Sequence, residues 1–193
     1  MGCYGQNLNT TPNLDKIAER GALFSQAISC QPVCGPARAC IQTGVHATTT
    51  GCYRNGIKLP LDADTIAKAL SNTGYQTAYV GKWHLASTIS TSFENIGEKV
   101  DFQTKPIPKE YRGGYQDYWI ASDILEFTSH GYDGYVFNGD NEKVEFTGYR
   151  VDAMTDYALD FLESRDKEKP YFLFVSYIEP HHQNDNHRYE GPR

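Results

Sequence analysis

Tyr171-Phe172-Leu173-Phe174-Val175-Ser176-Tyr177-Ile178 is a run of mostly apolar, aromatic and branched residues that stops at Glu179. Polar residues do not alternate along it, so both faces are apolar, as in a parallel strand covered on both sides. Just upstream, Val151, Met154, Ala158, Leu159 and Leu162 fall on one face of a helix spanning about 149–165. The same order occurs earlier. A helix capped by Asp64 carries Ile66, Ala67, Ala69 and Leu70, stops at Gly74, and feeds a second buried run, Tyr75-Gln76-Thr77-Ala78-Tyr79-Val80. Helix then buried strand, twice over, predicts an α/β fold with a mostly parallel sheet flanked by helices.

The remaining segments are read more coarsely. Thr11-Pro12 followed by Leu14, Ile17 and Ala18 and then Gly21 predicts a short capped helix, and 22–28 reads as extended. A loop at 31–35 leads into a helix expected to begin near Pro36 and to stop at Gly44. Between about 86 and 147 the chain is an insertion rich in Gly, Tyr and Asp, predicting short hairpins and loops. Tyr111, Tyr115, Trp119 and Tyr132 in it either grip a sugar ring or simply pack the insertion. Two buried strands alone leave open sheet edges, so more strands are needed than these two.

Composition narrows the function. The 193 residues suffice for one core, and a formal net charge of −6 lacks the positive field of a nucleic-acid binder. No apolar run approaches the roughly 18–20 residues of a membrane span. The N-terminus shows no signal-peptide pattern, so the compartment is not read directly. Cys3, Cys30, Cys34, Cys40 and Cys52 make an odd number of thiols. They lack the paired C-x₂₋₄-C spacing of a structural zinc site.

Both strands run into chemically capable residues. Val80 leads to Gly81-Lys82-Trp83-His84, and Ile178 leads to Glu179-Pro180-His181-His182. Ligands of open α/β sheets bind beyond the carboxyl ends of the strands, which puts Lys82, His84 and His181 at one crevice. Cys34 just ahead of a helix N-terminus lies where an anion is favoured, and Arg38, four residues on, can reach back toward it.

Cys34-Gly35-Pro36-Ala37-Arg38 with Thr43-Gly44, Gly74-Tyr75-Gln76-Thr77 with Gly81-Lys82-Trp83-His84, Thr11-Pro12-Asn13-Leu14-Asp15 and Pro180-His181 together resemble the sulfatases of the alkaline phosphatase superfamily. Gln42 departs from that pattern, where an apolar residue is usual, and is read as a packing change. The resemblance implies an alkaline phosphatase-like fold, residues 1–193 forming part of a sulfatase catalytic domain incomplete at both ends. It implies cleavage of a sulfate monoester, on a sulfated small molecule or glycan, by formylglycine made from Cys34 by a maturation enzyme. Arg38 then holds the hydrated aldehyde, Lys82 takes a sulfate oxygen, His84 bonds to or deprotonates the nucleophile, and His181 contacts sulfate and protonates the leaving oxygen. His182 is the alternative to His181. Calcium is the implied metal, with the converted Cys34 as one ligand and the others outside this chain. The four remaining cysteines allow two disulfides or free thiols. A periplasmic or secreted location is expected for the whole protein. Two other readings stand beside this one: a phosphatase or phosphonate monoester hydrolase of the same superfamily, and a noncatalytic glycan-binding fragment.

Overall fold

The computed structural model describes residues 1–89, 98–183 and 185–192. The stretch of the expected insertion at 90–97 lies outside the described residues.

Helix α1 (Pro12–Arg20) has Thr11 at its N-cap position without a side-chain cap bond, ends at Gly21, and buries none of its side chains. Residues 22–28 form no strand and are exposed, because no neighbouring strand among the described residues offers them a ladder. Helix α2 (Cys34–Thr43) starts two residues earlier than expected, with extended Val33 as its N-cap. Pro36 is then the third helical residue, where its missing N–H is still among the groups a helix leaves unpaired. Gly44 ends α2 at φ 72° and donates to Cys40 O. After the short α3 (Ala47–Thr50) comes α4 (Ile66–Ser71). Its cap is Thr65 rather than Asp64: Thr65 Oγ1 accepts from Lys68 N at 3.1 Å, the first-turn amide that lies three residues ahead.

Five strands form one mixed sheet in the order β4-β3-β2-β1-β5. Strand β1 (Gln76–Lys82) lies between β2 (Tyr118–Ser122) and β5 (Tyr171–Ser176), parallel to both. Strands β3 (Asp133–Phe137) and β4 (Lys143–Thr147) make an antiparallel hairpin added beside β2. The insertion therefore supplies a parallel strand as well as the expected hairpin, and the sheet is less parallel than the two apolar runs suggest. Helix α5 (Leu125–Thr128) follows β2, and α6 (Arg150–Ser164) occupies the expected place before β5. Strand β5 is an edge strand and stops at Ser176, so most of it is only half-buried rather than covered on both faces.

Side chains alternate through the sheet and build two cores. Tyr79, Trp119 and Ala121 face α2 and α4 with Ala39, Ala67 and Trp83; Val80 and Ile120 face α6 with Met154 and Ala158. Tyr79 stacks on Trp119 at 5.3 Å and on Phe174 at 5.4 Å, an aromatic layer that joins all three parallel strands. Tyr115 and Trp119 are fully enclosed in this core, so they pack the insertion and are not available to a sugar. Tyr111 packs partly against the same cluster, and Tyr132 lies against Tyr149. Buried Gln42 is satisfied there, accepting from Tyr115 OH at 2.8 Å. All five cysteines are free.

Candidate active site

The register decides what meets at the carboxyl ends. Gly81 lies beside Ser176, and Lys82 lies beside Ser122. Backbone pairing with the β2 side continues for two residues past β1, with Trp83 N donating to Ser122 O at 2.9 Å and His84 N to Asp123 O at 2.8 Å. Gly81 has φ +107°, and a Cβ there would stand 2.1 Å from Ser176 O. Only glycine lets β1 and β5 approach this closely at the point where both chains enter the site. Buried Asp123 shapes the turn after His84: it accepts from Ala86 N at 3.0 Å and from Ser87 Oγ at 2.5 Å.

Helix α2 is brought over these ends by Arg38. Its Nη1 donates to Lys82 O at 2.8 Å and to Ser176 Oγ at 2.6 Å. The guanidinium thus clamps the helix onto β1 and β5 rather than reaching back only to Cys34. Cys34, the first residue of α2, is half-buried and lines a cavity of about 460 Å³ together with Arg38, Tyr79, Phe174 and Ser176. The Gly35 amide in the same first turn donates to Asn55 Oδ1 at 2.8 Å. Asn55 also lines a neighbouring cavity of about 350 Å³, whose wall includes His84, Ser87, Gln103 and Glu126. A larger cavity of about 550 Å³ lies near Cys3 and Asp15 and shares no lining residue with these two.

Lys82 is 1% exposed, and its ammonium lies 2.5 Å from Glu126 Oε1. Burial pushes the Glu126 carboxyl up, but the Lys82 charge and hydrogen bond outweigh it and hold it below the usual carboxylate value. His84 has φ 59°, and its Nδ1 is buried without a partner. Burial first, and then the field of Lys82 with smaller contributions from Arg38 and His181, pushes its pKa down to about 3; Glu126 acts in the opposite direction. Four of the expected residues, Arg38, Lys82, His84 and His181, therefore share one electrostatic neighbourhood. Cys34 joins it through its cavity with Arg38 and through Gly35 and Asn55, with no hydrogen bond from its thiol to His84 among the described residues. His181 is exposed, its Nδ1 paired with His182 O at 2.6 Å. The His182 ring turns instead to Tyr189, edge-on at 5.3 Å.

Glu126, Ser176, Asn55 and Gln183 are site residues that sequence reasoning did not find. Gln183 is buried, and its Nε2 donates to Glu126 O at 3.0 Å, tying the His181 segment to α5. Among the described residues no group of three or more His, Cys, Asp or Glu can hold a metal ion. Glu126 Oε1 is held by Lys82 and both Asp123 oxygens by the 86–87 turn, so these two carboxylates do not make a calcium donor set by themselves.

The profile of the sulfatase family matches residues 1–193. The chain belongs to the sulfatase family. This sulfatase chain is 35% identical over 181 residues to the N-acetylglucosamine-6-O-sulfatase of Bacteroides thetaiotaomicron, covering 94% of the chain and 28% of that relative. It thus spans just over a quarter of the relative's length. A protein solved in complex with its substrate, D-glucosamine-2-N,6-O-disulfate, superposes with a TM-score of 0.69 at 34% identity, over 91% of this chain and 31% of the other. The phosphonate monoester hydrolase of Agrobacterium radiobacter shares the fold, with a TM-score of 0.58 at 19% identity over 94% of this chain and 38% of the other. The architecture is that of the alkaline phosphatase-like proteins.

Proposed function

We propose that the protein containing this chain hydrolyses the sulfate monoester of a sulfated carbohydrate, and that residues 1–193 are part of its catalytic domain. The observation that carries this reading is the Arg38 clamp, which sets the Cys34 end of α2 over the strand ends from which Lys82, His84 and His181 emerge. The reaction needs a nucleophile, donors for the nonbridging oxygens and a proton for the leaving oxygen. Cys34 in the cavity mouth fits a formylglycine, which when present supplies the nucleophilic hydroxyl.

Each of the chain's own residues has a task. Arg38 donates through Nη1 to Lys82 O and Ser176 Oγ and lines the cavity shared with Cys34, where its planar guanidinium holds the nucleophile. Lys82 keeps one ammonium hydrogen on Glu126 and has two left for a sulfate oxygen. His84 is neutral at physiological pH and accepts a hydrogen bond from the nucleophile. His181, exposed at the rim, protonates the leaving oxygen. His182 is the weaker candidate for that task because its ring is turned to Tyr189. The named activity of the Bacteroides relative and the disulfated glucosamine bound by the solved neighbour support a sulfated amino sugar as substrate.

Peptide mass spectrometry on the protein made beside a formylglycine-generating enzyme tests the nucleophile. The tryptic peptide containing position 34 is expected about 18 Da lighter than its thiol form. Cys34→Ala is expected to abolish turnover of N-acetylglucosamine-6-sulfate while leaving the melting temperature unchanged. An unmodified thiol in active enzyme, or retained turnover in Cys34→Ala, overturns the assignment. Preference for phosphate or phosphonate monoesters over the sulfate ester would replace it with the phosphoesterase reading.

A further inference from the structure

Glu126 has no task in the reaction as described, yet it is placed like a working residue. It lies on α5 within the insertion, its side chain is only 9% exposed, and its backbone carbonyl is held by Gln183 from the segment that carries His181. One carboxylate oxygen takes the Lys82 ammonium at 2.5 Å; the other, Oε2, is buried without a partner. Across the same 350 Å³ cavity wall, His84 Nδ1 is likewise buried without a partner. A native interior seldom keeps two such atoms, and here one can donate a hydrogen while the other can only accept.

The charges facing His84 are Lys82 from β1, Arg38 from α2, His181 from the segment after β5, and Glu126 from α5. Glu126 is the single anion of that set, so it is the group able to draw an N–H of the imidazole toward itself. A proton on Nδ1 leaves the lone pair on Nε2, where a catalytic imidazole that must receive a hydrogen needs it.

Resting on the sulfatase reading above, we propose that Glu126 is a positioning residue for Lys82, the last residue of β1, and for His84 just after it. Its Oε1 fixes the Lys82 ammonium, and its Oε2 receives Nδ1–H of His84, which sets the imidazole tautomer. No covalent step is involved: one hydrogen bond forms between two atoms that otherwise have none, by rotation of the His84 or Glu126 side chain.

Glu126→Gln and Glu126→Asp in the whole enzyme test this. Glutamine puts an NH₂ donor where one of the two carboxylate oxygens stood, so either the Lys82 ammonium or the His84 Nδ1–H faces a donor; aspartate keeps both acceptors. With ¹⁵N-histidine labelling, the wild-type ring of His84 is expected as the Nδ1–H tautomer near neutral pH, a state lost in Glu126→Gln and retained in Glu126→Asp. This readout needs no turnover, so it separates failure of the positioning role from failure of the sulfatase reading. On a sulfated amino sugar, kcat of Glu126→Gln is expected to fall at least about tenfold, less than the roughly 10²–10⁴ contributed by a positioned acid–base group because Glu126 acts through His84, with KM unchanged or lower. Glu126→Asp recovers most of the loss. An Nε2–H tautomer in the wild type, or a tautomer and kcat that survive Glu126→Gln while only the melting temperature drops, would reduce Glu126 to a structural ion-pair partner and overturn the proposal. Should Glu126→Gln fail to fold, the tautomers of the wild type and Glu126→Asp decide by the same criterion.

Discussion

His84 shows how one residue's surroundings write a pH dependence into the whole chain. Its pKa is pushed from the usual 6.5 to about 3 by burial and then by Lys82, with Arg38 and His181 adding to the effect. The unfolded chain therefore binds a proton at this ring over a range in which the folded chain does not. The stability it contributes is fully present above pH 6.5 and drains away as the pH falls toward 3. Melting temperatures measured from pH 7.5 down to 4.5 are expected to fall less steeply in His84→Gln than in the wild type; equal slopes would show that the ring is not held neutral. The thiols give a contrast. Burial, and then the neighbouring Cys30 thiol, pushes Cys40 up to about 11, and burial also raises Cys52. Both stay protonated near neutral pH, which makes them poor nucleophiles.

At the scale of the elements, the site depends on how closely β5 lies against β1. At Gly81, φ +107° and a 2.1 Å approach of any Cβ to Ser176 O leave no room for a side chain. Gly81→Ala is expected to cost at least about 2–3 kcal/mol, seen as a lowered denaturation midpoint. Because Ser176 Oγ receives Arg38 Nη1, turnover per folded molecule should fall as well. A Gly81→Ala protein with unchanged midpoint would show that the two strands separate more easily than their contact suggests. The same neighbourhood explains what was legible beforehand. Lys82 and His84 could be read because they follow directly on an apolar strand, and Cys34 and Arg38 because one helical turn holds them together. Ser176 could not, since its bond to Arg38 spans 138 residues, and Glu126 could not, since 44 residues separate it from Lys82. Only strand register brings such partners together. Strand β2 was also missed: Tyr118-Trp119-Ile120-Ala121-Ser122 is short and sits among glycines and aspartates, so its buried character comes from its two neighbours more than from its own pattern. The start of α2 at Cys34 was hidden by Pro36, which fits the third helical position as well as the first.

Taken whole, the molecule is unevenly packed. Its two cores lie around β1 and β2, while the first thirty residues contribute nothing to either. Ile17, Phe24 and Ile28 are 67%, 72% and 91% exposed, close in sequence on and just after a helix with no buried residue. Strand β5 pairs with β1 alone, so among the described residues its other edge has no partner strand. Exposed apolar side chains and an open strand edge both favour association with other chains. The chain also spans only 28% of its Bacteroides relative, so a longer polypeptide has material to cover such surfaces. Expressed as these 193 residues alone, the chain is expected to bind a hydrophobic dye strongly and to elute as oligomers. Replacing Ile17, Phe24 and Ile28 by polar residues should reduce both without loosening the core, because none of the three belongs to it. The comparison is made by dye fluorescence and size-exclusion chromatography, with circular dichroism to confirm an unchanged sheet. If the triple variant still associates while its dye binding disappears, the exposed β5 edge is the main contact, and a charged residue placed at Tyr171 should then separate the chains.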